Sequence, residues 1–298
     1  DECDEATLFG AFNALGPVAQ LNPRNGETAP SYAYPIPNLG GVTTLAIHPE
    51  DGSAFLATGE GDDALYRAEL GGDSFVRIGQ LGGGASNIQG MAFAPDVASK
   101  WGFEPGALYG VSIDGVGSCS PNCLFEINPE TGAGRRIAGI QANQLRALSF
   151  DPISGDLLAY DAGSKHLMWL NGSGQVLRTQ QVESSHQELA TGVDTLFSLA
   201  HGCDGALYGV DVAYGVLLEI NPATGQAQWV GGYGSVQGGA DSFSLYAMDG
   251  GPCLCAEGGL NIPSNGRGLG VGGVAFEHFT LLGDQELGEV PLNGLGAH

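Results

Sequence analysis

Short apolar segments alternate with turns that contain glycine or aspartate along most of the chain. In five places an apolar segment, a turn and a second apolar segment follow one another. These units begin at Val42, Ile88, Leu145, Leu196 and Phe243. Short apolar runs bounded by such turns predict β-strands, so each unit predicts a hairpin.

A second hairpin follows in each of the first four units, with shared turn chemistry. The turns are Gly-Gly-Asp, Asn-Pro-Glu-Thr-Gly, Asn-Gly-Ser-Gly and Asn-Pro-Ala-Thr-Gly. Proline sets φ in advance, and glycine accepts the positive φ that a tight hairpin requires. Each unit therefore predicts a small sheet of four antiparallel strands.

The fifth unit, from Phe243, has no second hairpin after it. Residues 17–37 contain a matching phrase, Leu21-Asn22-Pro23 followed by Gly26. Joining both chain ends in one sheet covers the apolar faces that an open row of sheets would expose. The sequence predicts an all-β fold, a five-bladed β-propeller over residues 1–257 in which residues 17–37 complete the last blade.

Two repeated phrases carry a family resemblance. They are Leu-Tyr-Gly-Val, at Leu108–Val111 and Leu207–Val210, and Leu-x-x-Ile-Asn-Pro-x-Thr-Gly, at Leu124–Gly132 and Leu217–Gly225. From residue 17 to about 257, the chain resembles secreted bacterial repeat-type β-propellers of the quinoprotein-like and NHL-like kind. The resemblance implies the architecture and says little about activity, because the repeated residues are turn and core residues.

Residues 258–298 fall outside the repeat and form a C-terminal extension. A glycine-rich connector precedes Val274–Leu282, which alternates in part between apolar and polar residues and predicts one more strand. A lone strand after a closed ring needs a neighbour. It can pack on its own propeller or add to the sheet edge of another subunit, so the extension is a candidate docking element.

The charge balance limits the kinds of partner that the chain is expected to bind. The chain has 33 acidic and 10 basic residues, a net charge of −23. Such a surface repels nucleic acid and anionic membranes, and no apolar run is long enough to span a membrane. It favours cations, a basic partner or a salty medium, although solubility alone also explains it.

The six cysteines suit an exported, oxidised protein. Cys119 and Cys123 flank a short turn and are expected to pair. Cys253 and Cys255 point to one face of a strand, so each needs its own partner, with Cys203 and Cys3 as candidates. A metal site is the alternative, although these spacings fit zinc poorly. We expect a secreted, extracellular or cell-surface location, with the periplasm as the alternative.

One acid follows the second strand of each unit. Carboxylates that share one mouth of a propeller repel each other unless a cation lies between them, and Ca²⁺ accepts such ligands. Chance placement among 33 acids is the competing explanation. The candidate calcium ligands are Glu60, Asp114, Asp161, Asp211 and Glu257.

The sequence favours a non-catalytic role. It contains no G-x-S-x-G nucleophile motif, phosphate loop or dinucleotide fingerprint. The first expectation is an extracellular structural, self-assembling or protein-interaction subunit. The alternatives are a multivalent glycan- or small-ligand-binding propeller and a glycoside hydrolase that uses paired carboxylates.

Overall fold

The described structure lies within the first of the two units into which the chain divides, residues 1–258 and residues 259–298. The computed structural model describes residues 8–12, 18–27, 41–59, 62–69, 75–113, 122–184, 196–203, 205–232 and 245–250. The predicted strand Val274–Leu282 lies outside them, so its docking role stays a prediction.

Strands dominate the described residues. In chain order they are β1 (Leu8–Phe12), β2 (Val18–Leu21), β3 (Val42–Ile47), β4 (Ala54–Thr58), β5 (Ala64–Ala68), β6 (Val76–Gln80), β7 (Ile88–Phe93), β8 (Leu108–Ser112), β9 (Asn122–Ile127), β10 (Gly134–Ile140), β11 (Leu145–Phe150), β12 (Leu157–Asp161), β13 (His166–Leu170), β14 (Val176–Gln181), β15 (Glu183–Ser184), β16 (Leu196–His201), β17 (Leu207–Asp211), β18 (Val216–Ile220), β19 (Gln226–Gly232) and β20 (Leu245–Gly250). A 3-10 helix, Asp96–Trp101, lies between β7 and β8.

These strands form small sheets in a propeller-like arrangement, and the all-β prediction is confirmed. Four sheets are antiparallel meanders: β3 to β6, β7 to β10, β11 to β14 and β16 to β19. The last is extended by β15, which pairs parallel with β19. A three-stranded sheet has the order β2-β1-β20.

The inner strands of the sheets contact one another in a cycle, β3 to β7, β11, β16, β20 and back to β3. Each neighbouring pair of sheets encloses its own apolar cluster. Leu56 and Val18 belong to the cluster between β3–β6 and the three-stranded sheet, whereas Leu217 and Leu8 belong to the cluster on that sheet's other side. The core is therefore divided among the contacts between sheets.

The repeated Asn-Pro-x-Thr-Gly phrase folds as predicted, as the turn of an outer hairpin. The Asn221 side-chain oxygen accepts hydrogen bonds from the backbone N–H groups of Ala223 (2.9 Å) and Thr224 (3.2 Å). Gly225 closes the turn with φ of 75° and donates to the Asn221 carbonyl (2.8 Å). The asparagine side chain thus stabilises the turn, because its oxygen accepts hydrogen bonds as a backbone carbonyl would.

The same turns join each sheet to the one before it. A Cβ added at Gly225 would collide with the carbonyl oxygen of Gln181, the last residue of β14. At Gly26 it would lie 2.9 Å from the Gly231 carbonyl oxygen, in β19. Glycine is needed here for its conformation and for this close approach.

The three-stranded sheet draws on both ends of the described chain, with boundaries that differ from the predicted ones. β1 pairs with β20, with Gly10 opposite Met248, and β2 pairs with the other edge of β1. The sequence predicted that residues 17–37 complete the last blade. It gave no prediction for β1, because the segment Leu-Phe-Gly-Ala-Phe does not alternate between apolar and polar residues. Of residues 17–37, only Val18–Leu21 forms a strand within the described part.

Candidate functional site

Asp161 and Asp211 close the second strands of two neighbouring blades. They lie opposite Leu145 and Leu196, the first residues of the inner strands β11 and β16. Both are buried, with 3% and 0% of their surface exposed. The two carboxyl groups therefore hold the same register position in their blades.

The Asp161 carboxylate is engaged on both oxygens. Oδ1 accepts from the backbone N–H groups of Gln144 (2.7 Å) and Gly163 (3.1 Å), and Oδ2 from the Asn143 N–H (3.0 Å) and the Ser164 hydroxyl (2.7 Å). Burial by itself raises the pKa of Asp161, but these hydrogen bonds outweigh it and leave the pKa below its ordinary value. This acid thus joins the turn after its own strand, β12, to the residues directly before β11.

Asp211 also caps its own loop. Its Oδ1 accepts from the backbone N–H groups of Ala213 (3.0 Å) and Tyr214 (3.3 Å). Aspartate competes well for nearby backbone donors in turns. The repeated acid is thus explained in part by loop geometry.

Hydroxyl residues take the equivalent register position in the other two blades. Thr58 and Ser112 end β4 and β8, opposite the first residues of β3 and β7. The predicted ligands Glu60, Asp114 and Glu257 lie outside the described residues. Within the described ranges, no three His, Cys, Asp or Glu side chains gather in a group that would hold a metal ion. The calcium site stays a prediction.

Two cysteines, Cys123 and Cys203, fall within the described residues, and both are disulfide-bonded. The other four lie outside that part of the chain: Cys3, Cys119, Cys253 and Cys255. The pairing therefore stays a prediction.

Buried polar side chains tie neighbouring inner strands together. Each accepts a hydrogen bond from a backbone N–H of the next strand: Thr44 from Met91 (2.9 Å), Ser149 from His201 (3.0 Å), Ser198 from Met248 (2.7 Å) and Asp249 from Ile47 (2.7 Å). The Asn122 side chain, in β9, accepts a similar bond from the Leu145 N–H of the inner strand β11 (2.9 Å). A buried hydrogen bond is costly to break, so these bonds fix the spacing of the sheets.

Asp249 is the charged member of these ties. Burial raises its pKa to about 7, although the N–H groups of Ile47 and Gly250 donate to its oxygens and favour the ionised form. The group therefore titrates near neutral pH, at the contact between β20 and β3.

Ser149 and His201 have the separation of a nucleophile and its base, with 2.9 Å between Oγ and Nδ1. However, Ser149 is only 1% exposed, and its oxygen also accepts the His201 backbone N–H. A nucleophile must reach its substrate. The contact is therefore a structural tie between β11 and β16.

A polar cluster lies at the beginning of the inner strands; we call it the mouth cluster, and it comprises Thr43, Asn87, Gln89, Arg146 and Phe197. The Arg146 guanidinium lies 4.0 Å from the centroid of the Phe197 ring, and its Nη1 is 3.5 Å from the Gln89 side-chain oxygen. Gln89 donates to the Asn87 side chain (2.5 Å). Sequence reasoning missed this cluster; the signal is the polar or aromatic second residue of each inner strand.

Three exposed apolar residues lie after the opposite ends of two inner strands, on two adjoining segments; we call Val97, Trp101 and Ile153 together the insertion patch. The 3-10 helix, which is inserted between β7 and β8, carries Val97 (42% exposed) and Trp101, and Ile153 (63% exposed) is in the turn after β11. A Cβ at Gly155 would lie 2.7 Å from the Val97 carbonyl oxygen, so that turn contacts the helix. In the described part of the chain, no helix is long and apolar enough to cross a membrane.

No protein-family model matches the chain. No curated protein matches it either. Among solved structures, a chain of a nidogen/laminin complex is similar, with a TM-score of 0.53 and 15% identity over 84% of this chain and 100% of that chain. At this identity the likeness supports the β-propeller fold alone.

Two enzymes are similar at lower TM-scores. Virginiamycin B lyase from Staphylococcus aureus, in a catalytically inactive form with quinupristin, has a TM-score of 0.43 and 13% identity over 80% of this chain and 78% of that chain. Glutaminyl cyclase from Myxococcus xanthus has a TM-score of 0.44 and 17% identity over 72% of this chain and 73% of that chain. A β-propeller fold by itself assigns no activity.

Proposed function

We propose that the chain is a secreted, non-catalytic, five-bladed β-propeller that acts as an extracellular structural or protein-interaction subunit. In this proposal the three-stranded sheet is the fifth blade, because β20 contacts the inner strands on both sides of it. Its apolar clusters with both neighbouring sheets support the same assignment.

The observation that carries the interaction role is the insertion patch. Apolar side chains clustered on a surface mark interaction sites more often than single exposed ones do. In repeat proteins, an insertion within one repeat is often found on the binding face. Here the inserted helix and the turn of the next blade together expose Val97, Trp101 and Ile153.

The test is self-association of the full chain, measured by sedimentation from low to high protein concentration. We expect association that weakens in the double variant Val97→Ser, Ile153→Ser by about thirtyfold, because two exposed apolar side chains at about 1 kcal/mol each contribute about 2 kcal/mol together when they become buried. A chain lacking residues 259–298 tests the proposed docking role of the C-terminal extension in the same experiment.

The matched control is Val76→Ser, because Val76 is 64% exposed on the outer strand of another blade. This variant should associate like the parent. A parent chain that stays monomeric at every concentration contradicts the assembly role, and equal loss in the control contradicts the assignment to the insertion patch.

Secretion and calcium binding remain parts of the proposal. The disulfide-bonded state of Cys123 and Cys203 supports an oxidising compartment. The net charge of −23 supports cation binding.

For calcium, we expect a chelator to lower the melting temperature and added Ca²⁺ to restore it, because a ligand bound only by the folded state stabilises it. The measurement is thermal unfolding followed by circular dichroism, with added sodium chloride as the comparison. If the chelator has no effect while sodium chloride raises the melting temperature, screening of the acidic surface explains the charge and the calcium proposal fails.

A further inference from the structure

We propose that the mouth cluster is a binding site for a small ligand with a single carboxylate group. This site is separate from the insertion patch, and it goes beyond the interaction role proposed above. The proposal stands on the position of the cluster, its contacts and the backbone conformations around it.

The position follows from a repeated irregularity in the inner strands. In β3, β7 and β16 the pairing register shifts at the second residue, and in β11 it shifts at the third residue, directly after Arg146. The second residue of each of these strands is partly exposed, whereas the other five are buried. A β-bulge redirects side chains in this way and is common beside functional sites. The four partly exposed side chains, at a bulge or directly beside one, are Thr43, Gln89, Arg146 and Phe197.

The contacts join side chains from successive blades into one arc. Arg146 lies between Gln89 of the preceding blade and Phe197 of the following blade. A Cβ at Gly59 would lie 3.0 Å from the Thr43 methyl carbon and 3.1 Å from the Asn87 side-chain oxygen, so Thr43 and Asn87 adjoin the same glycine. The arc thus combines a guanidinium, two carboxamides, a hydroxyl and an aromatic ring.

Two backbone positions at the arc adopt the left-handed conformation without being glycine. Asn87 has φ of 48°, and Ala147, directly after Arg146, has φ of 52°. Residues other than glycine are strained in this conformation, and such residues concentrate at ligand and active sites. The third described example, Lys165, lies in the turn after the second strand of the β11–β14 blade. The strained residues are therefore close in sequence to the two central members of the cluster: Asn87 lies two positions before Gln89, and Ala147 directly follows Arg146.

The chemistry of the arc selects a monocarboxylate. A guanidinium matches a carboxylate in shape and charge. The single guanidinium of the cluster balances one negative charge. The Asp63 carboxylate adjoins the cluster, because its Oδ1 accepts the Asn87 N–H (2.8 Å), and it would repel a second negative charge on the ligand. The carboxamides and Thr43 suit polar groups beside the carboxylate, and the Phe197 ring suits its carbon skeleton.

The test is calorimetric titration of the full chain with two carboxylate probes and their neutral counterparts. Galacturonate is compared with galactose, and N-acetylalanine with N-acetylalaninamide, so that the two arms separate a sugar acid from a peptide carboxyl end. We expect at least one carboxylate probe to bind about tenfold more tightly than its neutral counterpart, as a charge-assisted hydrogen bond does. The Arg146→Gln variant should lose this preference.

Arg178→Gln is the matched control. Arg178 also lies over an aromatic ring, 3.6 Å from the centroid of Trp169, but on the outer strand β14. Its variant should bind like the parent, and Arg146→Lys should retain an intermediate preference because it keeps the charge without the planar fork.

If both pairs of probes bind the parent equally or not at all, the site is overturned, whatever the fate of the variants. An equal loss of the preference for the carboxylate probe in Arg178→Gln also overturns the site. The proposed interaction role is untouched by either result, because that role is tested by sedimentation of the insertion-patch variants.

Discussion

Replacing Asp249 by asparagine is expected to flatten the pH dependence of stability between about pH 5 and 8 and to stabilise the chain at the upper end of that range. The buried carboxyl has its pKa raised to about 7 from an ordinary value of 3.8. Between these two values the folded chain holds a proton that the unfolded chain has lost. Stability therefore falls as the pH rises through this window, by about 4 kcal/mol in total. Asparagine cannot ionise and removes this loss.

The measurement is urea unfolding of parent and variant across the same pH range. Asp151→Asn is the matched control. Burial by itself raises the pKa of Asp151, but hydrogen bonds from Ser154 and Ile153, together with the nearby His201, lower it below 3.8. The stability contributed by Asp151 is lost only as the pH falls through that lower value, so its variant should keep the slope of the parent. If the stability of the parent does not change from about pH 5 to 8, this result contradicts the raised pKa of the buried Asp249 carboxyl.

Gly90→Ala is expected to destabilise the chain by about 3 kcal/mol, the upper end of the usual cost of overpacking. Gly90 is the third residue of the inner strand β7, where it approaches the next inner strand. An added Cβ would lie 2.6 Å from the Ala147 carbonyl carbon and from the Leu148 nitrogen. Those atoms are backbone, so neither can move aside as a flexible side chain can. Denaturant unfolding measures the loss.

Gly82→Ala is the control for this variant. A Cβ at Gly82 would lie 3.8 Å from the nearest atom, the Ala133 Cα, which is an ordinary contact. Its stability should stay within about 0.5 kcal/mol of the parent after allowance for the lower entropy of unfolded alanine. Equal stability of Gly90→Ala and Gly82→Ala would mean that β7 and β11 do not approach each other in this way.

The strands and hairpin turns could be predicted from the sequence because their determinants are local. Asn221 and Gly225 form their turn from hydrogen bonds and a φ angle within five residues, so the repeated phrase predicts the turn by itself. The segment of β1 lacked such a signal. Its place beside β20 depends on pairing between the two ends of the chain, which short-range periodicity does not reveal.

The candidate sites were harder to predict because side-chain direction decides them. Asp161 was predicted to face a shared mouth as a calcium ligand, and this role stays a prediction; its four hydrogen bonds to the neighbouring loops had no signal in the sequence. Arg146 was missed because the bulge interrupts the alternation that would have placed it on a face. Asp249 gave no signal at all, since its burial depends on the contact between β20 and β3.

The central claim is that residues from both ends of the repeated region pair in one sheet and thereby complete the ring. Cross-strand nuclear Overhauser effects in the isotope-labelled chain test it most directly. The account predicts contacts between the backbone protons of Gly10 and Met248, and between those of Leu8 and Gly250, which are opposite each other in β1 and β20. Backbone contacts of β20 with a different strand at these positions, or none with β1, would contradict it.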